Sequence, residues 1–101
     1  MNRILLFATL ALAGVARAEP APQVVIDHFA FGPNVITVAA GTTVTWVNND
    51  VEPHTVVSND NKFQSEAMDT GDRFSVTFDK AGSYGYFCSL HPHMTGKVVV
   101  K

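Results

Sequence analysis

From residue 24 onward, apolar and polar residues alternate in short runs separated by turn-forming residues. A period of two is the mark of a strand with one buried face and one exposed face. The clearest case is residues 73–78, where Phe74, Val76 and Phe78 share one face and Arg73, Ser75 and Thr77 the other. Over residues 42–47, Val44 and Trp46 are set against Thr43 and Thr45. Residues 83–88 place Tyr84, Tyr86 and Cys88 together. Further strands are predicted over 24–31, 35–38, 54–58 and 96–101. Gly32-Pro33-Asn34, Ala39-Ala40-Gly41, Asn48-Asn49-Asp50, Asn59-Asp60-Asn61 and Asp79-Lys80-Ala81-Gly82 break the runs. Residues 62–72 are the least regular and are predicted as a loop or a single helical turn, and 89–95 as a loop. Seven to eight short strands between regular turns predict an antiparallel β-sandwich.

The first 18 residues follow a different rule. Met1-Asn2-Arg3 is a basic start, Ile4 to Gly14 an apolar run, and Ala16-Arg17-Ala18 offers small residues where a signal peptidase reads. This is the pattern of a secretory signal peptide, with cleavage expected after Ala18 and export to the periplasm or beyond the cell. The apolar run falls well short of the roughly 20 residues that span a bilayer. Cleavage of 18 residues from 101 leaves 83, residues 19–101, as one domain. With Arg3 and Arg17 gone, that domain carries nine acidic and five basic residues, a net charge of −4. No basic run remains, so nucleic-acid binding has no support. A domain this small buries a modest core, and a bound metal would add to its stability.

Cys88 is the single cysteine, so it cannot form a disulfide within its own chain. It is a reactive thiol, an intermolecular link or a metal ligand. Its surroundings, Cys88-Ser89-Leu90-His91-Pro92-His93-Met94, favour the last. Spaced Cys-x-x-His-x-x-Met, a tight loop between adjacent strands can turn Cys88, His91 and Met94 to one centre. Upstream, Pro53-His54 lies at a strand end that a sandwich can bring to the same loop. One thiolate, two imidazoles and a weak thioether form the ligand set of a blue-copper site, where thiolate and thioether suit Cu(I) and imidazoles suit both oxidation states. His93 rivals Met94 for a place, but neighbours in a tight loop point apart, and Met94 is preferred. Met68 is expected in the core and His28 at the surface. Four protein ligands would leave no position open for water or substrate, which argues against catalysis. A copper-delivery or storage module is the alternative. A structural zinc site ranks behind both, because a thioether is a poor zinc ligand.

The chain from residue 24 to 101 resembles the cupredoxins, the type 1 blue-copper family, and among them the amicyanins. The resemblance is carried by Thr43-Val44-Thr45-Trp46-Val47-Asn48, Pro53-His54, Gly82-Ser83-Tyr84, the segment 88–94, and Gly96-Lys97-Val98-Val99-Val100. It implies a Greek-key sandwich and one copper ion. His54, Cys88 and His91 would be equatorial ligands and Met94 the axial one. Asn48 would tie the His54 segment to the Cys88 loop by hydrogen bonds. The implied function is the transfer of single electrons between redox partners of the dehydrogenase or cytochrome c type, by a monomer that docks them briefly near His91. Pro53, Leu90 and Pro92 are expected to form an apolar rim there. Two residues depart from the amicyanin pattern: His93 in place of phenylalanine, and Thr55 in place of asparagine.

Overall fold

The computed structural model describes residues 21–101, so the expected signal peptide and its cleavage point lie outside the described residues. Eight strands follow in order: β1 (Gln23–Asp27), β2 (Ala30–Gly32), β3 (Val35–Val38), β4 (Thr42–Asn48), β5 (Val57–Ser58), β6 (Arg73–Phe78), β7 (Gly82–Cys88) and β8 (His91–Val100). No helix occurs among the described residues. The strands form two four-stranded sheets, ordered β2-β1-β4-β6 and β3-β8-β7-β5.

The all-β fold expected from the alternation is present, with one refinement. Both sheets are mixed, because β1 runs parallel to β4 and β3 parallel to β8. The chain leaves the first sheet after β2, lays β3 on the second, and returns to the first as β4. Alternation within a strand states which residues face inward. It does not state which strand comes alongside or in which direction.

The expected strand over 24–31 is in fact a hairpin. Asp27 pairs with Ala30 across the two-residue turn His28-Phe29. Both turn residues have positive φ, 51° and 56°, which is the two-residue turn whose twist suits paired strands. Asn-Gly is its usual signal, so His-Phe gave none. The segment 62–72 holds no helical turn. It bridges Gln64 to Val57 and Met68 to His54, and residues 69–72 close a turn in which the Asp72 N–H donates to the Asp69 carbonyl. β8 also begins at His91, five residues before the expected start at 96.

The core sits between the sheets. Val44, Trp46 and Phe78 from one sheet meet Tyr86, Cys88 and Val98 from the other, with Met68 buried as expected. Trp46 and Tyr86 pack edge to face at 5.3 Å, and Tyr86 meets Phe31 at 4.8 Å. Tyr86 lies directly opposite Gly96, and a Cβ at Gly96 would overlap the tyrosine ring and its hydroxyl. The glycine is there because the ring lies over it. Gly96→Ala must displace a ring wedged in the core and is expected to cost about 1–3 kcal/mol. In Gly85→Ala the added carbon meets the mobile end of the Asn59 side chain, so the cost should be smaller. Urea unfolding of the two variants checks the order.

Candidate metal centre

Three of the four expected ligands converge. The ligating atoms of His54, Cys88 and His91 all lie within 4.8 Å of one another. Each imidazole places Nδ1 3.7 Å from the Cys88 Sγ. His54 and Cys88 have no solvent exposure, while His91 is half-buried.

The local folding explains the convergence. β7 carries Cys88 on its inward face, in line with Tyr86. Register between β7 and β8 then slips: Phe87 pairs with Thr95, yet Cys88 pairs with His91. Residues 92–94 therefore have no partner on β7, and the extra chain arches at the end of the sheet. Met94 is 5% exposed and packs in the cluster that contains Cys88. His93 is exposed. It lines a groove of about 330 Å³ with Asn34 and the β2 residues Ala30 and Phe31. His28 is exposed as expected.

His54 comes from the connection between β4 and β5. Its backbone pairs both ways with Met68, at 3.2 and 2.8 Å. Its Nε2 lies 2.9 Å from the Asp50 Oδ2. An ionised carboxylate can only accept, so Nε2 keeps the proton and Nδ1 is left to face a metal. The same Oδ2 accepts the Phe29 N–H at 3.0 Å, and Oδ1 accepts the Val51 N–H at 2.8 Å. The His54 hydrogen bond, together with those two amides, outweighs desolvation and holds the Asp50 carboxyl at about 2, from 3.8.

Asn48 is buried, but it does not tie the His54 segment to the Cys88 loop. Its Nδ2 donates to the carbonyls of Glu52 and Met68 at 3.0 and 2.9 Å, and its Oδ1 accepts from the Asp50 N–H at 2.8 Å. It shapes the loop that presents Asp50 and His54. The side chain at the end of β4 points into that loop and cannot reach across the sandwich to Ser89. Thr55 makes the tie instead. Its N–H lies 3.4 Å from the Cys88 sulfur, and its hydroxyl accepts the Ser89 N–H at 2.8 Å. Burial pushes the Cys88 thiol up, but the Thr55 N–H, the two imidazoles and the Leu90 N–H outweigh it and bring the thiol from 9.0 to about 6. The thiolate is the form that binds a metal.

Asp50 and Phe29 were not singled out by sequence. Asp50 has a faint signal, four residues before His54. Phe29 has none, because it reaches the site only through the turn at 28–29.

In the metal-free protein, Asp50 has a folded-state value below its unfolded one. The stability it contributes is therefore present above pH 4 and lost as pH falls from 3.8 to about 2. Asp50→Asn, with no carboxyl to titrate, should show a flatter decline over that window. Urea midpoints measured from pH 2 to 6 on both proteins check this.

Residues 19–101 match the family model of copper-binding proteins of the plastocyanin/azurin family. Amicyanin of Paracoccus versutus is 41% identical over 95 residues, covering 86% of this chain and 72% of the relative. Plastocyanin of Scenedesmus fuscus is 39% identical over 84 residues, covering 70% and 86%. The solved structure of a reduced tryptophan-to-tyrosine variant of amicyanin superposes with a TM-score of 0.77 at 34% identity, covering 88% of each chain. A donor set of one thiol, two imidazoles and a nearby buried thioether is the set copper takes in such proteins. The chain is a cupredoxin, a member of the plastocyanin/azurin family of copper-binding proteins.

Proposed function

We propose that this protein carries single electrons, with one copper ion that His54, Cys88, His91 and Met94 would hold. The observation that carries the reading is the convergence of His54, Cys88 and His91, their ligating atoms within 4.8 Å of one another. The copper supplies the Cu(I)/Cu(II) couple. The protein keeps the donors in one geometry suited to both states, so little has to move as an electron passes. His54 is locked by Asp50 and its backbone pairs, and Cys88 by Thr55. Both are fully buried, which disfavours the copper-delivery alternative, since a delivery protein presents its metal to the acceptor. With four protein donors, no position is left for a substrate, and the reading includes no catalysis.

The half-buried His91 is the exit for the electron. Around it Pro53, Leu90 and Pro92 are exposed, and Phe29 joins them. An apolar rim of this kind suits brief contact with redox partners, here of the dehydrogenase or cytochrome c type, by a monomer. The basic, apolar and Ala-x-Ala segments of residues 1–18 support export to the periplasm.

Adding Cu(II) to residues 19–101 should give an intense blue band that is lost on reduction and absent in Cys88→Ala. A colourless product in the parent protein would end the reading. Fast electron self-exchange beside slow copper exchange separates carrier from delivery protein. Expression of the full chain in a bacterial host should yield a periplasmic form beginning at Glu19, as read by intact mass. A product retaining Met1 would remove the export step.

A further inference from the structure

The two imidazoles at the centre are supported unequally. His54 is fully buried, paired through its backbone to Met68, and bonded through Nε2 to Asp50. His91 is half-buried, and among the described residues its ring has no hydrogen-bond partner but the Cys88 sulfur. A ligand histidine ordinarily needs a further contact that fixes its ring.

One side chain is placed to supply it. Phe29 packs edge to face against His91, centroids 4.9 Å apart with planes at 84°. The same ring meets His54 at 5.4 Å and 87°. The two imidazoles are themselves 4.9 Å apart, so the three rings wedge one another. This is the favoured arrangement of aromatic pairs.

The position of Phe29 is held at a cost. It is 49% exposed and has a φ of 56°, a conformation that glycine or asparagine adopts readily and a bulky residue does not. Its backbone N–H is anchored on the Asp50 Oδ2, the oxygen that also accepts from His54. A strained residue fastened to the carboxylate that orients one ligand, with its ring against the other, points to a task at the site.

We infer that Phe29 is the positioning residue for His91, and that Asp50 sets both imidazoles, one by a hydrogen bond and the other through Phe29. This rests on the ligand reading given above. With His54 and Cys88 buried, His91 is the ligand through which copper can be lost, and the Phe29 ring opposes its swing outward.

The test is the rate at which the Cu(I) protein gives its metal to excess bathocuproine disulfonate. Phe29→Ala should release copper about tenfold faster, the factor of ~1.4 kcal/mol, within what aromatic contacts contribute. Phe29→Asn keeps a residue suited to positive φ but removes the ring, and should be as fast as Phe29→Ala. Phe29→Tyr should restore slow release. Circular dichroism and the thermal midpoint of each variant establish that it is folded. Release from Phe29→Asn at the parent rate would overturn the inference, because the turn alone would then hold His91. Equal rates in all variants, with the blue band present, would also overturn it and leave the ligand reading standing. Absence of the blue band in the parent protein would remove the ligand reading and this inference with it.

Discussion

Cys88 faces His91 because β7 and β8 lose register between Phe87 and Cys88. Up to Phe87 the two strands pair residue for residue, and the ladder is long enough to fix both in place. At Cys88 the partner strand carries three more residues than the ladder can use. That surplus becomes the arch from His91 to Met94. A one-residue change in a strand's register turns its side chains to the other face. The sulfur and the imidazole meet only while the slip stays where it is. Gly96, lying under the Tyr86 ring, keeps the ladder tight just before the arch begins.

Polar contacts of two kinds complete the centre. Thr55, just before β5, holds the end of the neighbouring β7, taking the Cys88 sulfur by its amide and the Ser89 amide by its hydroxyl. Asp50 gathers the other side. Its carboxylate receives His54, Phe29 and Val51, and Asn48 receives the Asp50 amide in turn. The buried side chains of Asn48, Asp50, His54 and Thr55 therefore each have hydrogen-bond partners, as low dielectric surroundings demand. Contacts from Thr55 and Asp50 position Cys88 and His54, two of the donors proposed to hold copper. For an electron carrier this matters, because any rearrangement on changing oxidation state slows transfer.

The proposed electron exit and the Phe29 ring inferred to steady His91 share one surface. His91 reaches the edge of the molecule among Phe29, Pro53, Leu90 and Pro92. Leu90 and Phe29 are each 49% exposed. Where the amicyanin pattern has phenylalanine, this chain presents His93 at the groove beside Asn34. The rim therefore has a polar flank next to its apolar centre.

The alternation at 42–47, 73–78 and 83–88 determined the strands and their inward faces, since the pleat forces side chains to opposite sides. Cys88, His91 and Met94 were legible as a unit because a seven-residue window contains them, and local spacing limits where they can point. His54 was legible only beside a known pattern, because its meeting with Cys88 spans 34 residues. The tertiary structure alone decided the mixed sheets, since alternation carries no information on strand direction. It also decided that Thr55, and not Asn48, ties the His54 segment to Cys88. The hairpin at His28-Phe29 and the role of Asp50 were hidden for one reason. Both depend on a carboxylate from one loop meeting an amide 21 residues away, a contact that forms only when β1 and β4 pair in parallel and set the loops that follow them side by side.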